Sequence, residues 1–156
     1  MVFPPNLEAP PRVTMDHLVS WTDFFDPGVK FFSGTATYLK DFDLSAASFA
    51  PGSRQFLDLG AVKNLARVEL NGQDLGVLWK EPFRVEITGC AKSGPNHLSI
   101  RITNLWPNRL IGDLSVPDPL RVTWTSVSPY TATSPILPSG LLGPVVVRTA
   151  RDVEAQ

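Results

Sequence analysis

Carboxylates are the first residues of this chain that could do chemistry. Glu69 and Glu86 stand on segments that read as strands, and Asp58 and Asp113 lie in or beside other elements. A glycosidase needs two such groups, one acid held protonated for the leaving group and one ionised to attack or to activate water. The pair works only if its surroundings push the two pKa values apart. Here Glu69 shares a strand face with Arg67, and Glu86 with Arg84. A neighbouring guanidinium favours the ionised carboxylate, the wrong direction for a general acid. Charge pairing on a wet sheet face accounts for all four residues without catalysis. The isolated chain is therefore expected to lack a catalytic residue. If it were an enzyme, it would be a small glycoside hydrolase using a pair among Asp58, Glu69, Glu86 and Asp113.

Other reactive groups offer less. His17 and His97 are the only histidines, and no Gly-x-Ser-x-Gly elbow accompanies them. Cys90 is alone, which excludes an intramolecular disulfide, and one Cys with two separated His residues has no zinc spacing. Fourteen basic residues against 15 acidic ones leave no electrostatic footprint for nucleic acid or an anionic membrane. No apolar run approaches the ~18 residues that a membrane span needs.

Binding is better supplied. Trp106, Asn108, Arg109 and Asp113 place an aromatic ring, an amide, a cation and an acid close together. A sugar presents flat C–H faces that stack on such a ring and hydroxyls that need such polar partners, so this loop is the candidate carbohydrate site. The alternative is that Arg109 pairs with Asp113, that Trp106 plugs one end of the fold, and that the loop is structural or docks onto another domain. Trp79 and Trp124 fall on alternating segments and are expected in the core, whereas Trp21 and Tyr130 lie by loops and are left open.

These residues must be held by strands. Fifteen prolines and 11 glycines, without a segment of 3.6-residue apolar period, suit short strands and tight turns. Asn71-Gly72 marks a type I′ hairpin, because both central positions need positive φ. Ala66, Val68 and Leu70 alternate before the turn; Leu75, Val77 and Trp79 alternate after it; Pro82 makes a corner into Phe83, Val85 and Ile87. Further strands are expected at His17–Trp21, Ala36–Leu44, Gln55–Leu59, Asn96–Asn104, Leu120–Trp124 and Val145–Val147, eight or nine in all. The predicted fold class is an all-β antiparallel sandwich. Residues 1–16, with their prolines, read as a linker, 17–149 as the sandwich, and 150–156 as a polar tail. The Pro- and Ser-rich stretch 126–139 reads as a long loop, which is uncommon unless it binds something or moves.

The run from Val68 through Asn71-Gly72, Gly76, Pro82-Phe83, Ile87-Thr88, Gly94, Asn96, Leu98 and Ile100 resembles the sugar-binding-type module of large glycoside hydrolases, a galactose-binding-like jelly roll. Ser20-Trp21-Thr22, Phe32 to Tyr38, Leu57 to Gly60, Asn104 to Asp113 and Pro138 to Pro144 are similar to a narrower group, the C-terminal module of rhamnosidase-type glycoside hydrolases. The resemblance implies a non-catalytic accessory module that binds glycan or buttresses a catalytic domain absent from this chain. It also implies the option of a structural Ca²⁺ near the start of the sandwich, for which Asp16, Asp23 and Asp26 are the candidate ligands; no cofactor is required. A purely structural inter-domain module without sugar affinity is the remaining alternative. Met1 to Pro11 show none of the features of a signal peptide, so the compartment stays open, although full-length relatives are expected to be secreted or periplasmic.

Overall fold

A computed structural model describes residues 1–5 and 8–151. Nine strands are formed among them: β1 (Thr35–Leu44), β2 (Ser53–Asp58), β3 (Ala61–Lys63), β4 (Leu65–Leu70), β5 (Gln73–Leu78), β6 (Arg84–Glu86), β7 (Gly94–Thr103), β8 (Gly140–Gly143) and β9 (Val146–Arg151). One sheet has the order β1-β7-β4-β5, a second β6-β2-β9, and β3-β8 form a two-stranded ribbon; every strand pair is antiparallel. The all-β antiparallel sandwich expected from the sequence is the fold observed.

The core lies between the sheets. Ala36, Tyr38, Val68, Leu70, Leu98, Ile100 and Ile102 come from the first, and Leu57, Leu59, Phe83 and Ile87 from the second and its flanks. Val85 is only half-buried. Phe3, Trp21 and Phe32 close one end as an edge-to-face cluster, with centroids 4.7–6.0 Å apart.

The hairpin forms as its dipeptide requires, with Asn71 at φ 53° and Gly72 at φ 82°. Asn71 does more than turn. Its Nδ2 donates to Cys90 O at 2.7 Å and to Asn96 Oδ1 at 2.8 Å, and its Oδ1 accepts from His97 N at 2.9 Å. Buried Asn96 in turn exchanges bonds with the backbone of Lys92 at 2.8–3.0 Å. The two asparagines of the motif thus staple the hairpin to the loop that enters β7.

Several expectations about individual elements need correction. Opposite Val68 the register shifts between Arg67/Glu69, so that Leu75 and Gly76 share one partner, and Gly76 has φ 87°. This β-bulge reverses the facing of everything beyond it. Leu75 and Leu78 pack on the core while Val77 and Trp79 point outward, Trp79 with 67% of its surface exposed. His17–Trp21 is not a strand; Trp21–Asp23 form a 3-10 turn capped by Ser20. Leu120–Trp124 is not a strand either, and Trp124 is 87% exposed. Two short helices occur where none is legible from periodicity, α1 (Pro27–Lys30) and α2 (Pro107–Asp113). Both are too short to repeat an apolar face.

Part of the segment expected as a linker is built into the sandwich. Val2 bridges both Thr37 and Arg12, and Phe3 is a core residue. Of the expected polar tail, Ala150 and Arg151 close β9, and 152–156 lie outside the described residues.

Candidate functional site

The loop singled out by its chemistry folds into α2 and its approach. Trp106 precedes the helix and is 71% exposed. Its partners in the expected sugar site turn inward. Asn108 is buried and makes a two-way amide clamp on Leu137, donating from Nδ2 to Leu137 O at 2.7 Å and accepting from Leu137 N at 2.8 Å. Arg109 and Asp113, one helical turn apart, form a buried ion pair through Nε at 2.9 Å and through Nη2. Glu8 meets the same Nη2 at 3.2 Å, and Arg109 Nη1 is buried without a hydrogen-bond partner among the described residues. Asp113 also accepts from Thr123 N at 2.9 Å and from the Thr123 hydroxyl, and its carbonyl accepts from Arg121 Nε at 2.9 Å. Burial alone would raise the Asp113 carboxyl, but the hydrogen bonds from Arg109 and Thr123 outweigh it and hold the pKa below the usual carboxylate range.

The helix is therefore an anchor. Asp113 holds one end of the long loop 121–139 through Arg121 and Thr123, Asn108 holds the other through Leu137, and the loop carries outward-facing Val122, Trp124 and Val127. Leu105 and Leu137 are also exposed, and they line a small cleft of about 220 Å³ with Asn64, Pro107 and Pro138. Tyr130, left open by the sequence, is half-buried, whereas Trp21 is fully buried.

The four candidate catalytic acids sit on separate elements. Asp58 ends β2, where it accepts from Gly60 N at 3.0 Å, Arg84 at 3.1 Å and Arg148 at 3.0 Å. The Gly60 N–H, with the two arginines, overcomes burial and lowers its pKa. Glu86 in β6 is gripped by Arg54 and bonded by Thr88 at 2.8 Å, which lowers its pKa from 4.5 to about 2. Glu69 projects from β4 into solvent beside Arg67, whose guanidinium bonds Asp74 at 3.2 Å. The arginine partners thus differ from the same-strand neighbours: Arg67 serves Asp74, and Arg84 serves Asp58. In Asp58, Glu86 and Asp113 the carboxyl is stabilised as an anion, and none of these three is poised as a general acid.

The proposed calcium ligands do not fit a cation site. No group of three or more His, Cys, Asp or Glu side chains converges among the described residues. Asp26 caps α1 by accepting from Gly28 N at 2.8 Å, and Asp23 belongs to the 3-10 turn after Ser20. A hard cation needs six or more oxygens, and Asp16, Asp23 and Asp26 do not assemble them.

Sequence reasoning did not foresee a polar knot at the end of the sandwich. Trp21 Nε1 donates to the Tyr38 hydroxyl at 2.7 Å, which also accepts from Leu141 N at 3.2 Å. Asn104 Nδ2 donates to Phe32 O at 2.7 Å and Ser139 Oγ at 2.6 Å, while its Oδ1 accepts from Gly34 N at 2.9 Å. Ser139 N donates to Ser20 Oγ at 2.9 Å. Five separated motif fragments, around Trp21, Gly34, Gly60, Asn104 and Gly140, meet through this knot and through the approach of Gly60 to Gly143. The only sequence signal was that each fragment pairs a glycine or aromatic with a small polar residue.

The fold and the inward use of its polar residues define a class: a compact all-β sandwich module whose polar side chains mostly secure its own loops. No family model matches the chain. It is similar to the rhamnosidase from Novosphingobium sp. PP1Y, at 40% identity and a TM-score of 0.88 over 96% of this chain and 14% of that one. It is also 40% identical to a protein of Formosa agariphila with an ascribed β-glucuronidase activity, over 93% of this chain and 14% of the relative. A β-glucuronidase of an uncultured Clostridium sp., 24% identical with a TM-score of 0.54 over 64% of this chain and 18% of that one, shares the fold. The chain spans 14% of the length of its two 40%-identical relatives. It corresponds to one module of large glycoside hydrolases, of the rhamnosidase-like kind.

Proposed function

We propose that this chain is a non-catalytic accessory module that buttresses the remainder of a glycoside hydrolase, docking through the face formed by α2 and loop 121–139. The observation that carries this reading is the exposure of Trp106 at the start of α2 and of Val122, Trp124 and Val127 on a loop whose two ends are pinned by buried polar anchors. Large apolar and aromatic side chains left exposed on an anchored loop are the kind that the core of a protein interface uses. The acids support the non-catalytic part, since Asp58, Glu86 and Asp113 are held ionised by their neighbours. Asp58, Glu86 and Asp113 are accordingly assigned no catalytic role, and Glu69, on a different element from each of them, has none of them as a paired acid.

Glycan binding is the second reading. Trp106 and Trp124 are exposed rings able to stack on a pyranose. Asn108, Arg109 and Asp113 are buried and bonded to their own chain, so a sugar there would meet a platform without its expected polar partners. Binding of that kind would be weak, on the order of millimolar, or about 4 kcal/mol. Calorimetric titration with rhamnose- and glucuronate-containing oligosaccharides separates the readings when run beside a longer hydrolase carrying this module with Trp106→Ser/Trp124→Ser. Buttressing predicts no heat with the isolated chain and a lower melting temperature for the substituted hydrolase. Saturable heat lost in Trp106→Ala would make sugar binding the function.

A further inference from the structure

A second surface, away from α2, is incomplete. Val2 exchanges both backbone bonds with Thr37, at 2.7 and 2.8 Å, so Met1–Phe3 lies antiparallel against the start of β1. Along a strand, alternate residues point their N–H and C=O the same way. Leu39, Asp41 and Asp43 therefore present their backbone groups on the edge used by Thr37, and none of them has a backbone partner there among the described residues. Directly beneath this open edge runs a groove of about 750 Å³. Met15 and Leu18 line it on one side, Phe42 and Leu44 on the other, with Val147 from β9 and Val145 from the link that leads into it. All six are only half-buried. The groove is collinear with Met1–Phe3 and bounded by the same two neighbours, the 12–18 segment and β1.

We infer that this groove is a strand-addition site: an extended polypeptide segment pairs antiparallel with Leu39–Asp43, in line with Met1–Phe3, and completes both the sheet and the core. Side chains of directly paired residues share a face. Met1 stands opposite Tyr38, and Phe3, opposite Ala36, is buried. By the same alternation, donor residues opposite Lys40, Phe42 and Leu44 point into the groove and are apolar. Those opposite Leu39, Asp41 and Asp43 face solvent, where Asp41 and Asp43 favour Lys or Arg. The same acids repel a second copy of this edge, so the donor is a different segment. That it comes from the rest of a glycoside hydrolase rests on the accessory-module reading, and 86% of each 40%-identical relative (100 − 14) lies outside this module to supply one.

The test fuses Val-Lys-Val-Lys-Val-Thr ahead of Met1 and follows amide exchange at Leu39, Asp41 and Asp43. Addition of the strand slows all three at least about tenfold and raises the melting temperature. Replacing both lysines and the threonine with proline, which removes the pairing N–H groups, returns both readouts to those of the unextended chain. Equal exchange in the fused and proline-bearing proteins would overturn the inference. So would concentration-dependent protection of the same amides in the unextended chain, which would make a second copy the occupant. Neither readout involves sugar or hydrolysis, so the accessory-module reading can fail while this result stands.

Discussion

Asp113 has the most demanding position of any residue in this protein. It neutralises buried Arg109, holds Thr123 through two bonds and anchors the start of loop 121–139. Asp113→Asn leaves the buried guanidinium with only the half-exposed Glu8 as counter-charge, and breaking a buried pair costs up to about 3–5 kcal/mol; urea denaturation should show a loss within that bound. Trp106→Ala, three residues before Arg109, is expected to change stability by less than about 0.5 kcal/mol, because the ring rests in solvent. The contrast between neighbours in one loop shows that residue type did not decide role here; burial did.

Acid sensitivity also belongs to individual residues. Asp58, Glu86 and Asp113 all have folded-state pKa values below their ordinary ones, Glu86 at about 2. A depressed carboxylate contributes stability that is present above its unfolded pKa, about 4, and lost as pH falls through the folded value. Thermal melts should therefore be flat above about pH 5 and fall steeply between roughly pH 4 and pH 2. Asp58→Asn should flatten part of that fall.

Two positions test how the elements are built. Ile100 sits at the centre of β7 and is fully packed between the sheets, so Ile100→Ala should cost about 2–5 kcal/mol in chemical denaturation. Gly140 begins β8 at φ 97°, and a β-carbon there would lie 2.5 Å from Trp21 Nε1. Gly140→Ala therefore strains the backbone and displaces the indole from Tyr38 together, and it should cost at least about 1–3 kcal/mol. Loss of the near-ultraviolet circular-dichroism signal of Trp21 would locate the damage. Trp79→Ser provides the control: beyond the bulge it faces solvent, and the melt should barely move.

Across the whole molecule, the two sheets enclose one core but leave two surfaces unfinished, the apolar face around α2 and the groove beside β1. Under the proposed function these two surfaces are where the rest of a longer hydrolase docks; the chain spans 14% of the length of each 40%-identical relative. A longer hydrolase that includes this module should protect the amides of loop 121–139 from exchange relative to the isolated chain, and equal exchange in the two would argue against docking there.

The sequence by itself determined the fold class, the Asn71-Gly72 hairpin and most of the core, because period-two alternation and a turn that demands positive φ are local signals. Val68, Leu70, Ile87, Leu98, Ile100 and Ile102 are buried on that basis alone. The kinship with modules of glycoside hydrolases was legible too, since it is written in short motifs. Beyond Gly76 the alternation misled, because a bulge adds a residue without any mark on the apolar pattern, and Val77 and Trp79 emerged on the wrong face. The candidate sugar site misled for another reason. An aromatic, an amide, an arginine and an acid in one loop look the same whether they reach for a ligand or for their own chain. Only the tertiary structure, by bringing Leu137 to Asn108 and Thr123 to Asp113 across long stretches of sequence, decided that three of them turn inward and that the rings of Trp106 and Trp124 are what remains outside.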